Sequence, residues 1–331
     1  MRGSDRRDEP SAASPDARTV TRLRKANASL QGQLQAALRR AEVAERRLGS
    51  SEGTHALSSV IDRFLGPLRS KPTSSRLPTS RTVGVWVNPR FAEDPPQAND
   101  LIAFFHAQRT GGSALRHLFA DALGPDAVYC TQFSDDFRHW NEVSASALAE
   151  KRVFAGHSAF EPREIGRRLR PVTLVRHPFF RTVSLYYYCK KYPNQFLHDL
   201  THGRDVRAFY EVASARKPAY FHDVMCRRIV GKPSCDAALS CLSERFLAVG
   251  ATERLGEFVR WLFGHEGLSV PEVPVHPADS ERYAEHLNDQ DFYAQVMAAN
   301  AEDARLFETL NAAGLDAPSR AVGPAGATRS P

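Results

Sequence analysis

Three short stretches carry residues whose types and spacing could do chemistry. Residues 104–113 read FFHAQRTGGS: an apolar run ends at His106, and two glycines follow Arg109 and Thr110. Glycine lets backbone come close to a ligand, and N–H groups at a helix start collect anions. The peptide groups of Thr110, Gly111, Gly112 and Ser113 are therefore expected to converge as a phosphate cradle. The Arg109 charge and the Thr110 and Ser113 hydroxyls would add to it. The P-loop spelling G-x-x-x-x-G-K-S/T is absent. A plain strand-to-helix turn with Ser113 as its cap would need no ligand.

The second stretch, TLVRHPFFRTVSLYYY at 173–188, joins a strand end, Arg176, a His-Pro break and a helix bearing Arg181 and Ser184. The third is VFAGHSAFEP, in which His157 follows a strand and a glycine. An imidazole with a pKa near neutrality suits a general base for a hydroxyl nucleophile. Glu161 lies four residues on and could orient His157 or act in its place, and His106 is a second candidate base. Arg163, Arg167, Arg168 and Arg170 form a basic cluster that either grips an acidic acceptor or, as expected, lines a solvated helix face. The tyrosines of LYYYCKKY are expected to build core rather than stack on sugars.

The elements that position these residues are legible from periodicity. LIAFFHA is an apolar run of buried-strand type, RVFAGH and PVTLVRH are further strands, and VGVWV is an edge strand. SALRHLFADAL has helical spacing, as do RTVSLYYYCKKY, VRAFYEVAS, FHDVMCRRIV, RLGEFVRWLFGH and QDFYAQVMAANAEDARLFETLNAAG. Short apolar strands between helices imply an α/β domain built on a parallel sheet, whose ligands bind beyond the strand carboxyl ends.

The main domain is expected at 98–317, between a linker with a short helix and strand at 50–97 and a disordered tail at 318–331. Residues 1–17 are polar and expected to be disordered. Over 18–49 a heptad pattern places Val20, Asn27, Leu34, Ala41 and Leu48 at one core position and Leu23, Leu30, Ala37 and Ala44 at the other. It reads as a parallel coiled coil and homodimer through 20–48, or as a single amphipathic helix on the chain's own body.

Of 331 residues, 42% are hydrophobic and 25% charged, with a net charge of +6. Residues 1–81 carry 16 Lys and Arg against 8 Asp and Glu, and the rest carries 28 against 30. The basicity belongs to the N-terminal arm, so no nucleic-acid partner is expected. Five cysteines without a C-x-x-C pair point to reduced, mostly buried thiols. No run of apolar residues is long enough to span a bilayer and no signal peptide is visible, so a cytoplasmic protein is expected.

Taken together, the first two stretches resemble the nucleotide-binding signature of the sulfotransferase superfamily, most nearly the carbohydrate sulfotransferases that include the heparan sulfate 2-O and 6-O enzymes. There a loop of type P/Q-K-T-G-G/S-S/T cups the 5′-phosphosulfate of PAPS (3′-phosphoadenosine 5′-phosphosulfate). A later L-R-D-P-x-x-R-x-x-S-x-Y-Y motif holds the 3′-phosphate through its first Arg and its Ser. Here the first motif corresponds to Gln108, Arg109, Thr110, Gly111, Gly112 and Ser113. The second corresponds to Arg176, Pro178, Arg181, Ser184, Tyr186 and Tyr187. FLAVGATERLGEFVRWL at 246–262 is similar to the family's V-G-x-T-E segment, and the likeness spans roughly residues 100–310.

The resemblance implies a P-loop-NTPase-like α/β fold. It also implies a PAPS-dependent O-sulfotransferase that releases PAP, needs no metal and takes a saccharide or glycosylated small-molecule acceptor. His157 falls at the family's catalytic base. Arg109 stands where the family has a lysine that stabilises the bridging oxygen, and can fill that role as a fixed charge. His177 stands where the family has an aspartate that would orient the first Arg. Two other readings share these residues: a P-loop kinase-like phosphotransferase, and a catalytically silent nucleotide-binding scaffold that dimerises through its coiled coil.

Overall fold

The structure, a computed structural model, describes residues 84–131, 139–273, 283 and 285–315. The chain divides into two compact units, Met1–Arg69 and Ser70–Pro331, and all described residues belong to the second. The segments read as disordered arm, coiled coil and tail lie outside the described residues, as does most of the linker.

Six strands form one sheet in the order β1-β6-β5-β2-β4-β3. They are β1 (Val85–Val87), β2 (Leu101–Phe105), β3 (Val128–Cys130), β4 (Val153–Gly156), β5 (Leu169–Val175) and β6 (Ala248–Ala251). Four of the five pairings are parallel, and β1 alone runs antiparallel, against β6. The expected α/β class is the one present. The edge strand expected in VGVWV is β1, so the sheet begins inside the stretch read as linker.

All five β2 side chains are buried because both faces of the sheet are covered. Leu101, Ala103 and Phe105 enter one core, and Ile102 and Phe104 the other, following the two-residue strand period. The first core is closed by α5 (Val224–Val230), α6 (Cys235–Arg245) and α9 (Ala301–Leu310). The second is closed by α1 (Gly112–Leu123) and α7 (Leu255–His265). The remaining helices are α2 (Ala145–Leu148), α3 (Pro178–Lys191), α4 (Val206–Arg216) and α8 (Gln290–Ala299). Among the described residues, no helix is long and apolar enough to cross a membrane.

The topology selects one place for a site. After β2 the chain builds β3 and β4 on one side, and then returns to build β5 and β6 on the other. The carboxyl ends of β2, β4 and β5 therefore border the crevice where the direction of winding reverses. Register sets the neighbours there. Phe105 pairs with Gly156, which brings His106 beside His157, and Val175 pairs with Ala251, which brings Arg176 beside the Thr252–Arg254 turn.

Candidate functional site

Arg109 and Gly111 both adopt left-handed backbone, at φ 69° and φ 85°. Glycine takes that conformation without strain, whereas Arg109 holds it at a cost of about 1–3 kcal/mol. Gly111 caps α1 with no side-chain hydrogen bond, and the first helical bond runs from the Leu115 N–H to its carbonyl. The start of α1 thus has no capping side chain, the arrangement that suits an anion. Ser113 is the second residue of the helix and exposed, so the Ser113-capped turn is not formed.

The structure corrects the expected part of Thr110. Its side chain is fully buried, and its hydroxyl donates to the Ala107 carbonyl at 2.9 Å, closing the turn from within. Gln108 keeps a buried Oε1 with no hydrogen-bond partner. Gly112 answers a different demand from Gly111. A Cβ there would overlap the His106 ring, so glycine admits the imidazole that packs against the loop.

His106 and His157 sit edge to face, with ring centroids 4.3 Å apart. The His106 N–H donates to the Gly156 carbonyl at 3.1 Å, and His157 Nδ1 lies 3.0 Å from the His106 carbonyl. A carbonyl only accepts, so Nδ1 carries the proton and Nε2 keeps its lone pair. Burial lowers the His157 pKa to about 4; its bond to His106 opposes the shift, and the charges of Arg228 and Arg109 add to it. His106 is held well below the ordinary range by burial, by His157 and by Arg228 and Arg116. Both imidazoles are neutral at pH 7. Glu161 is exposed, and its carbonyl accepts from the Trp140 indole at 2.8 Å. The group that orients His157 is the His106 carbonyl, not Glu161.

The first two motifs meet through side chains. Arg109 Nε donates to Ser184 Oγ at 3.1 Å, and its guanidinium lies 4.3 Å from the Tyr188 ring centre. Arg176 Nη1 donates to the Arg109 carbonyl at 2.9 Å. Ser184 can reach this point because Pro178 starts α3 directly after β5, with its φ already helical. Ser184 then lies within the second turn of α3, on the face toward the loop. Arg181, completely buried, directs its guanidinium to the carbonyls of Tyr220 and Phe221, to which it donates at 3.2 and 3.0 Å.

Glu253, from the turn after β6, is the carboxylate beside Arg176. Its Oε1 lies 3.8 Å from Arg176 Nε and accepts from the His177 N–H at 3.4 Å. The signal was present in the T-E pair of the third likeness. His177 turns into the core against Phe180, Tyr293 and Phe307, where burial and the Arg176 charge lower its pKa to about 3.

The expected solvated helix face at Arg163–Arg170 is not formed. Arg170 is buried in a pair with Glu266 (2.7 Å), and Arg168 binds Asp100 and Asp94. Arg167 donates to the carbonyls of Leu148, Lys151 and Asp100, and Arg163 lies over the Trp140 ring. These cations tie loops to the sheet. All five cysteines are free thiols, three of them buried.

No family model and no curated protein matches the chain. Among solved structures, it is similar to the crystal structure of mouse sulfotransferase SULT7A1 complexed with PAP. The identity is 13%, over 62% of this chain and 69% of that one, with a TM-score of 0.30.

Proposed function

We propose that this chain is an O-sulfotransferase, moving the sulfuryl group of PAPS to a hydroxyl of a saccharide or glycosylated small-molecule acceptor and releasing PAP. One observation carries the reading: the loop of the first motif and the helix of the second touch, through Arg109 and Ser184. Two anion-binding features on separate segments suit one nucleotide bearing phosphate at two positions.

The residues fit such a ligand. The N–H groups at the start of α1, from Gly111, Gly112 and Ser113, receive the 5′-phosphate. Thr110 holds the turn in shape. Arg176 and Ser184 receive the 3′-phosphate. Arg109, hydrogen-bonded to Ser184, adds its charge at that end rather than at the bridging oxygen. His157 Nε2 takes the proton of the acceptor hydroxyl as the new S–O bond forms and the bond to the phosphate breaks. His157 is neutral at pH 7 and its Nε2 is free to accept, although burial, which lowers its pKa to about 4, makes it a weaker base than the near-neutral imidazole expected from the sequence. Positioned donors supply most of the remaining stabilisation.

The test is transfer of radiolabelled sulfate from PAPS to a panel of neutral and acidic saccharides. Labelled saccharide together with released PAP is expected. PAP binding without transfer to any acceptor would favour the silent scaffold, and stabilisation by ATP–Mg²⁺ but not by PAP would favour the kinase.

A further inference from the structure

Arg109 is drawn toward Ser184 and Tyr188, so its guanidinium is not fixed on the His157 side of the site. Another arginine lies on that side. Arg228 is in the last turn of α5, and that helix bridges two of the strand ends described above. Near its start, Met225 Sδ accepts from the Arg176 N–H at 3.2 Å, and at its far end the Arg228 carbonyl accepts from the Phe160 N–H at 3.1 Å. Phe160 is three residues beyond His157, so the backbone of Arg228 is tied to the loop that carries the base.

The two adjacent arginines of α5 differ in what they do. Arg227 Nε donates to the His222 carbonyl at 3.2 Å and so braces its own helix. Arg228 Nε is buried with no hydrogen-bond partner, and no carboxylate pairs with Arg228 among the described residues. A buried donor on a cation, left unmade, is costly unless an anion completes it. The Arg228 charge is felt at both imidazoles, more strongly than that of Arg109 at His157.

We propose that Arg228 is a further catalytic residue, whose guanidinium holds the sulfuryl oxygens of PAPS beside His157. This rests on the sulfotransferase reading and moves the cation at the reacting centre from the glycine loop to α5. Arg228 gives up no proton. As the bond between sulfur and the bridging oxygen breaks and the acceptor oxygen bonds to sulfur, the acceptor proton passes to His157 Nε2 and PAP leaves with the electron pair.

The sulfuryl group is the whole difference between PAPS and PAP, so comparing their affinities isolates this contact without any acceptor. By calorimetry on the full chain, Arg228→Gln is expected to weaken PAPS about tenfold while PAP stays within about twofold of wild type. Arg228→Lys, which keeps a positive charge, is expected to recover most of the loss and provides a folded control. Equal weakening of PAP and PAPS, or no change in either, overturns the proposal. Failure of the wild-type chain to bind PAP would instead overturn the nucleotide reading beneath it.

Discussion

Arg109 Nε and Ser184 Oγ, 75 positions apart in the chain, are joined by a hydrogen bond of 3.1 Å. That contact turns a glycine loop and a helix face into one surface. If both residues serve the same phosphate, their substitutions are not independent. Arg109→Ala and Ser184→Ala should each weaken PAP about tenfold, and the double variant should lose less than the product of the two. Arg109→Lys, which keeps the charge, should retain activity. Calorimetric titrations of the four chains complete the cycle, and strict additivity would separate the two residues.

The glycine at 112 makes room for the His106 ring. Gly112→Ala drives a methyl into that ring, so it should destabilise the fold by about 1–3 kcal/mol although alanine favours helix. Removing the ring as well, in Gly112→Ala/His106→Ala, should recover stability relative to Gly112→Ala alone. Urea unfolding of the three variants decides it. A harmless Gly112→Ala would show that the loop tolerates bulk there.

Acid should unfold the protein through its neutral histidines. In the unfolded chain an imidazole titrates near pH 6.5, whereas folded His157 waits until about pH 4 and His177 until about pH 3. Above about pH 6.5 both are neutral in either state and their contribution is complete. Below it the unfolded state binds the extra protons, and each group removes about 1.4 kcal/mol per pH unit until its folded pKa is reached. Asp303, which burial raises to about 6, acts in the opposite sense between about pH 6 and pH 4 and offsets one imidazole. His177→Asn should therefore show a shallower fall in Tm between pH 6.5 and 4 than wild type. Parallel profiles would place the acid sensitivity elsewhere.

The sequence made four of the six strands and the two motif stretches legible because each is local: an apolar run, a glycine pair, an Arg followed by a spaced Ser; β3 and β6 were not read as strands. It did not reveal what depends on distant pairing. Arg163–Arg170 looked like a charged helix face, yet Arg170 is buried because Glu266, 96 positions away, lies within 2.7 Å. The role of Glu253 depends on β5 and β6 running in register, and that of the His106 carbonyl on β2 lying beside β4. Helix α6 (CDAALSCLSER) went unread because its buried face, Cys235, Ala238, Leu239 and Leu242, is short and half made of small residues; its start is fixed by the Ser234 hydroxyl, which accepts from the Ala237 N–H.

Arg170 should matter to stability and not to ligand. Arg170→Met strands a buried Glu266 carboxylate and should cost about 3–5 kcal/mol. Arg170→Met/Glu266→Leu should restore much of it, and the folded double variant should bind PAP as wild type does. A selective loss of PAP affinity in that variant would give this cluster a part in nucleotide binding.

The central claim is that one pocket reads phosphate at both ends of the same adenosine. Its most direct measurement is the calorimetric affinity of PAP against that of adenosine 5′-monophosphate, which lacks the 3′-phosphate, for wild type, Arg176→Ala and Ser184→Ala. The account predicts that wild type prefers PAP by about tenfold or more and that either substitution removes most of the preference, leaving adenosine 5′-monophosphate nearly unaffected. Equal affinity of the wild-type chain for the two nucleotides would contradict it.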